Sequence, residues 1–339
     1  MLAAYLNKFG GPEVLEVGNV RAPGVADNEV RVAVRSSALN HLDIWVRKGL
    51  PGLKVEFPHI LGGDASGLVE AVGKNVKDVF IGDEVIVHPG LCSTPWEEVE
   101  SLAADYKILG EHLNGTNAEM VTVPRENIFP KPKNLSFDEA ASVPLVFTTA
   151  WQMVVGRGAV QAGDLLLVHA AGSGVSSAAI QIAKCFGATV VATAGSAKKL
   201  DLATQLGADH VVNYSQSNVV SEIKKLFGKR RVDCVIDHVG ADTWESHFEV
   251  LRRGGKIVTC GATSGFEVRL DLRYVFYKQI QILGSTMGSK GDFPRILRLL
   301  ESGKLKAVVD KSFPLNDIQK AHAYLEGRHA LGKVIVTVS

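Results

Sequence analysis

An α/β fold built on a doubly wound parallel sheet, accompanied by a β-rich unit, follows from three observations on the sequence. The run Gly163-Asp-Leu-Leu-Leu-Val-His-Ala-Ala-Gly-Ser-Gly-Val-Ser-Ser-Ala-Ala-Ile-Gln-Ile-Ala-Lys184 leads from an apolar strand through a glycine turn straight into a helix. From there to Cys260, strand and helix patterns alternate, which is the signature of a parallel sheet. Before about residue 125 the pattern is different: short β segments divided by Gly, Pro and Asn, as in a partly closed all-β unit.

In chain order, the segment from Met1 to Lys8 is too short in apolar length for a signal peptide and reads as a first strand. Glu29–Val34, Gly67–Val72 and Asp83–Val87 are further β segments. Leu165–Val168 is continuously apolar, as a parallel strand covered on both faces must be, and Ala178, Ile182 and Cys185 share one face of the helix that follows. Gly187 caps that helix, and the strand Thr189–Ala194 completes a βαβ unit. The alternation continues through a helix at Lys198–Leu206, a strand at His210–Asn213, a helix at Val219–Phe227, the strand Val232–Asp237, a helix at Trp244–Leu251 and the strand Lys256–Cys260. The apolar strand Gln279–Gly284 suits a sheet edge that pairs with a second subunit, so a homodimer or homotetramer is expected. Helices at Phe293–Leu300 and Asn316–Leu325 precede a last strand, Lys333–Val338, for which the N-terminal unit is the plausible host.

Without side chains, Gly172 and Gly174 let backbone N–H groups approach an anion, and the helix N-terminus adds its partial positive charge. This is a place to hold a pyrophosphate. Read as G-x-G-x-x-G, the motif has Ser177 in its third place, so an ordinary strand-turn-helix stays open as the plainer alternative. Dinucleotide units that take NAD usually carry Asp or Glu about 20 residues further on, for the ribose hydroxyls. Here Ala192-Thr-Ala-Gly-Ser-Ala-Lys-Lys199 has no acid. Gly195 leaves room for a 2′-phosphate and Ser196 and Lys199 can donate to one, which points to NADP(H); the alternative is a small turn before solvated lysines.

A chain of 339 residues with net charge +1 is long enough for two domains and has no basic block, so neither nucleic acid nor an anionic membrane is an expected partner. No stretch approaches the ~18 apolar residues of a membrane span. Cys92, Cys185, Cys234 and Cys260 lack C-x-x-C spacing and fit reduced thiols in a cytoplasmic protein, the last three as small buried hydrophobes.

Further stretches carry a resemblance: Phe9-Gly-Gly-Pro-Glu-Val-Leu-Glu16, Ala38-Leu-Asn-His-Leu-Asp43, Pro58-His-Ile-Leu-Gly-Gly-Asp-Ala-Ser-Gly67, Gly82-Asp-Glu-Val85, Ala140-Ala-Ser-Val-Pro144, Thr148-Thr-Ala-Trp151 and Leu206-Gly-Ala-Asp209. In order and over nearly the full length, the chain resembles the medium-chain dehydrogenase/reductase superfamily, and within it the quinone oxidoreductases and zinc-type alcohol dehydrogenase-like reductases. The resemblance implies a Rossmann domain, residues 147–287, inserted in a GroES-like catalytic domain, residues 1–146 and 288–339. In register with the family, Ala171, Gly174 and Ser176 occupy its small-residue places, Ser176 where Gly is common. Ala171, Gly172, Ser173, Gly174, Val175, Ser176, Gly195, Ser196, Lys199, Tyr214 and Gly261 are then the implied cofactor contacts, with Thr149 on the nicotinamide side; capping a helix N-terminus is the plainer role for Thr149.

Zinc-dependent relatives place their three catalytic ligands where this chain has Asn40, Gly63 beside Asp64, and Leu145. The loop Leu91 to Ser101, where relatives with a structural zinc cluster four Cys, keeps only Cys92. A site rebuilt from His41, Asp43, His59 and Asp64 lacks supporting spacing, and no metal is expected. The resemblance then favours hydride transfer from NADPH to a small molecule, a quinone or an activated alkene. The alternatives are a zinc-type alcohol dehydrogenase with a rebuilt site and a nucleotide-binding protein without turnover. Asn40 would donate to a developing oxyanion and Trp45 would line the pocket, against a turn Asn and a core Trp as the plainer readings. His41, Asp43, Asp64 and His112 are the available proton donors, His41 foremost because an imidazole titrates near neutral pH.

Overall fold

The computed structural model describes residues 1–93, 100–229 and 231–338; residues 94–99, within the loop compared above with the structural-zinc loop, lie outside the described residues. The chain divides into two compact units, Met1–Thr148 with Ser289–Ser339, and Thr149–Gly288. Each unit has an apolar core of its own.

Among its described residues the second unit holds six parallel strands, which numbered along the chain lie side by side as 3-2-1-4-5-6. Leu165–Val168 is first and Val232–Asp237 fourth, so the order reverses between these two. In open α/β sheets a ligand binds at the carboxyl ends of the strands at such a reversal. Leu165 to Val168 are wholly buried, which explains their uninterrupted apolar run. The helix Gly174–Cys185 buries Ala178 and Ile182, but Cys185 is exposed: the covered face ends one turn before the helix does. The next helix in question is Ala241–Val250 and its strand begins at Leu251, not Lys256. Leu251 pairs with Val232, and the register shifts before Lys256 pairs with Cys234, so the glycines at 254 and 255 interrupt the ladder rather than precede it. Gln281–Gly284 is the outer strand, and the helix Leu272–Lys278 before it buries none of its side chains.

In the first unit the eleven-residue strand Glu29–Leu39 is the hub, pairing antiparallel with Asp64–Val72, Met120–Pro124 and Lys333–Thr337. It outruns the expected end at Val34 because Ser36, Ser37 and Ala38 have partners on both sides, and the same pairing starts its neighbour at Asp64 rather than Gly67. The terminal strand does join this sheet. Two registers matter most: Ala38 faces Asp64, and Leu39 faces Val334. They deliver Asp64 and Lys333 to the point where the hub strand gives way, at Asn40, to the helix His41–Lys48. Among the described residues no helix is long and apolar enough to cross a membrane.

Candidate functional site

The glycine turn is built by capping. Ser173, in extended backbone, is the N-cap of Gly174–Cys185 and its Oγ accepts from Ser176 N–H at 3.1 Å. The Ser177 N–H is taken by Ser173 O, while Gly174 and Val175 N–H have no acceptor among the described residues. These are the orphan donors that suit an anion at a helix N-terminus. Ser176, in the place where relatives carry Gly, fits because its hydroxyl donates to His169 O at 2.6 Å. Ala171 is buried and tied to the second strand through its N–H to Thr193 O, 2.9 Å.

Around the end of the second strand, four of the named residues pair two by two. A Cβ on Gly172 would come within 2.7 Å of Lys199 Cδ, so the lysine stem lies across the glycine. A Cβ on Gly195 would come within 2.8 Å of Tyr214 Oη, so the tyrosine ring lies against that glycine. Ser196 is exposed at the N-cap of the helix Ala197–Gln205, without a side-chain cap bond. Gly172 thus lies against the Lys199 stem, and Gly195 against the Tyr214 ring. Gly261 follows the fifth strand, its carbonyl accepting from Thr259 Oγ1 at 3.1 Å. Thr149 caps no helix: it lies in the sixth place of Pro144–Trp151, nearly buried, with its hydroxyl 3.7 Å from Met287 Sδ.

In the first unit, the positions that hold zinc ligands in relatives do converge. A Cβ on Gly63 would touch Leu145 Cδ1 at 3.4 Å, and Leu145 N–H donates to Asp64 Oδ1 at 2.7 Å. Asn40 Nδ2 donates to Asp64 Oδ2 at 2.9 Å. The residue that completes this cluster was not foreseen: Lys333 Nζ donates to Asn40 Oδ1 at 2.5 Å and to Asp64 Oδ2 at 2.9 Å, with only 4% of its surface exposed. An amide, a glycine and a leucine are not a zinc donor set, and the cation present is an ammonium. Sequence spacing gave no sign of it, since 269 residues separate Lys333 from Asp64.

The other candidates are held locally. Asp43 is fully buried, with its two oxygens accepting from Asn40 N–H at 2.7 Å and Gly62 N–H at 2.8 Å. Burial pushes its carboxyl up to about 6, against the pull of those two N–H groups and of Lys333. Asn40 is therefore no idle turn residue, and its amide donors face Asp64 and, at 3.4 Å, Ala38 O. His59, buried, lies with Nε2 3.1 Å from Gly110 O, and burial holds its imidazole below the usual range. His41, Asp43, His59 and Asp64 do not gather their ligand atoms into one group among the described residues. His112 Nδ1 accepts from Ile108 N–H at 3.2 Å. His41 and Trp45 are one helical turn apart, both half-buried, with ring centroids 6.4 Å apart.

One group of potential ligands does assemble, in the second unit: His169, Asp237 and His247, all buried. Nothing in their spacing marks it in the sequence.

Two family models match the chain: the alcohol dehydrogenase GroES-like domain over residues 26–133, and the zinc-binding dehydrogenase over residues 174–302. Quinone oxidoreductase 1 of Escherichia coli (strain K12) is 30% identical over 344 residues, covering 97% of this chain and 97% of that protein. A crystal structure described as an NAD-dependent alcohol dehydrogenase is 50% identical and superposes with a TM-score of 0.96 over 100% of both chains. The 2-octenoyl-CoA carboxylase reductase, solved with NADP and 2-octenoyl-CoA, is 29% identical, with a TM-score of 0.90 over 99% of this chain and 87% of that one. With a Rossmann sheet, a GroES-like β unit and matches spanning its whole length, the chain belongs to the medium-chain dehydrogenase/reductase superfamily, in its quinone oxidoreductase branch, and is an oxidoreductase.

Proposed function

We propose that the protein is an NADPH-dependent oxidoreductase that transfers hydride to a quinone or an activated alkene, such as an enone or alkenal, with no metal at the acceptor site. The observation that carries this reading is the Asn40–Asp64–Lys333 cluster at the positions of the zinc ligands. Oxidising a simple alcohol requires removal of its hydroxyl proton, for which relatives use zinc as a Lewis acid. Reducing a quinone or a polarised C=C leaves a resonance-stabilised anion, which needs only a proton.

When bound, the reduced nicotinamide supplies the hydride. The chain's own residues bind and orient. The free N–H groups of Gly174 and Val175 suit the pyrophosphate, while Lys199 beside Gly172 and Tyr214 beside Gly195 suit a 2′-phosphate. Trp45 offers a flat apolar wall. Proton delivery is assigned to His41, on the first turn of its helix and reachable from solvent, in preference to Asp43 and Asp64, whose oxygens are taken up by backbone N–H groups and by Lys333.

An NAD-dependent alcohol dehydrogenase is the second reading, favoured by the name of the structure at 50% identity. One set of assays separates the two: turnover of a quinone and alkenal panel with NADPH and NADH, beside oxidation of simple alcohols with NAD+. Quinone or alkenal reduction with NADPH preferred is expected. Lys199→Ala should lower the NADPH-over-NADH ratio of kcat/KM by about tenfold, the effect of about 1.4 kcal/mol lost from one charge-assisted contact. Alcohol oxidation with NAD+ and no turnover of the panel would establish the second reading instead.

A further inference from the structure

Beneath the glycine turn the nucleotide-binding unit buries three side chains that cofactor binding leaves unexplained. Val168 and Ile236 are partners in adjacent parallel strands, so His169 and Asp237, each one residue on, sit next to one another at the carboxyl ends. His247 reaches them from the helix Ala241–Val250. One ligand atom from each lies within 4.8 Å of the other two, and His247 Nε2 is 3.9 Å from Asp237 Oδ1. His169 is 2% exposed, Asp237 and His247 not at all.

The polar demand of the two imidazoles is mostly unmet by protein. His169 Nδ1 lies 3.0 Å from Thr193 Oγ1, and its Nε2 has no partner; neither nitrogen of His247 has one. Buried polar atoms are nearly always hydrogen-bonded, so an orphan nitrogen on each of two imidazoles beside one carboxylate is an exception that asks for a ligand. Asp237, meanwhile, is a buried carboxylate whose one ionic neighbour within 4.0 Å, among the described residues, is His247. Each imidazole, when neutral, has a ring-nitrogen lone pair to give to a metal ion. Asp237 is steadied by Val239 N–H at 3.2 Å, Gly240 N–H at 3.0 Å and Thr243 Oγ1 at 3.0 Å, and His169 by Thr193, which is the outer support that metal ligands usually have.

We propose that His169, Asp237 and His247 bind one divalent transition-metal ion of zinc's class. Two imidazoles and one carboxylate suit zinc, cobalt or iron rather than magnesium or calcium, and leave a coordination position for water. Bonds of about 2.0–2.2 Å place ligand atoms roughly 3.3 Å apart, so atoms that now lie up to 4.8 Å from one another draw together by up to about 1.5 Å on binding. The ion clamps the helix Ala241–Val250 to the strand that feeds the glycine turn. The clamp extends to the turn itself, because His238 Nε2 lies 2.8 Å from Ser173 Oγ and 3.0 Å from Ser176 Oγ. Its role is structural and does not enter hydride transfer.

The test uses the full chain, stripped with a chelator and titrated with Zn2+ and with Co2+ alone. About one ion per chain is expected, with visible d–d bands from Co2+ that Zn2+ abolishes, and a Tm raised by about 5 °C or more at Zn2+ near 100-fold its Kd. His247→Gln and His169→Gln should each abolish stoichiometric binding while still taking up NADPH, the sign that they fold. X-ray absorption of the wild-type zinc form needs no variant and should find imidazole nitrogen and oxygen, without sulfur. Failure of the wild-type chain to bind either ion, a bound ion with sulfur ligands, or binding that survives both substitutions in folded protein would overturn the proposal.

Discussion

Lys333 owes its burial to partners that stand 269 and 293 residues earlier in the chain. Asp64 is wholly buried, and its charge is matched by this ammonium. Lys333→Met should therefore cost about 3 kcal/mol in a denaturant titration, because the carboxylate is left buried and unpaired. Adding Asp64→Asn should restore more than half of that loss, whereas additive losses in the double variant would mean that the two residues do not act as a pair. The limits of sequence reading show at the same scale. Asn40, Asp64 and the absence of ligands at Gly63 and Leu145 stand out from local motifs, but Lys333 carries no local signal: its meaning comes from the register Leu39 to Val334. His247 is hidden in the same way, as one polar residue on a helix whose partners lie on two strands.

Elements were legible where their reason is local. The glycine turn needs small residues within a few positions, and the structure adds why Gly172 and Gly195 are small: Lys199 and Tyr214 lie against them. Gly195→Asp tests the role of this turn in cofactor choice. A carboxylate there would repel a 2′-phosphate and accept from ribose hydroxyls, and Tyr214, 57% exposed, has room to swing aside. The NADPH-over-NADH ratio of kcat/KM should fall by about tenfold or more, and an unchanged ratio would separate this turn from cofactor choice. Element ends were less legible, because pairing decides them. Glu29–Leu39 runs five residues past its apolar alternation, and Leu251 enters the sheet ahead of two glycines. Cys185 keeps the period of its helix face yet ends exposed, since periodicity says nothing of where the covering layer stops.

For the whole molecule, the outer strand Gln281–Gly284 and the helix before it leave Leu272, Phe276 and Tyr277 65%, 69% and 68% exposed. Apolar surface beside an open strand edge suits a second copy of the chain. Sedimentation at micromolar concentration should give the mass of two chains or four, and Ile282→Lys on the edge strand should give a lighter species; a wild-type monomer would end that expectation. Acid should weaken the fold. Burial holds His88 and His322 at about 3 and lowers His59, so between there and their ordinary 6.5 the unfolded chain binds more protons and stability is lost as pH falls. Asp43, raised from 3.8 to about 6, acts the opposite way over about pH 4 to 6, and so does Glu111, which burial also raises; the depressed imidazoles outnumber them. Tm should fall between pH 7 and pH 5; a level Tm would show that these imidazoles are not held neutral. The sheet of the first unit also sets a timetable. At roughly 5–20 residues per second, a ribosome reaches Lys333 roughly 15–50 s after Asp64, and in that interval all six strands of the inserted unit have been made. During synthesis the inserted unit can finish first, while Asn40 and Asp64 await the strand that brings their ammonium.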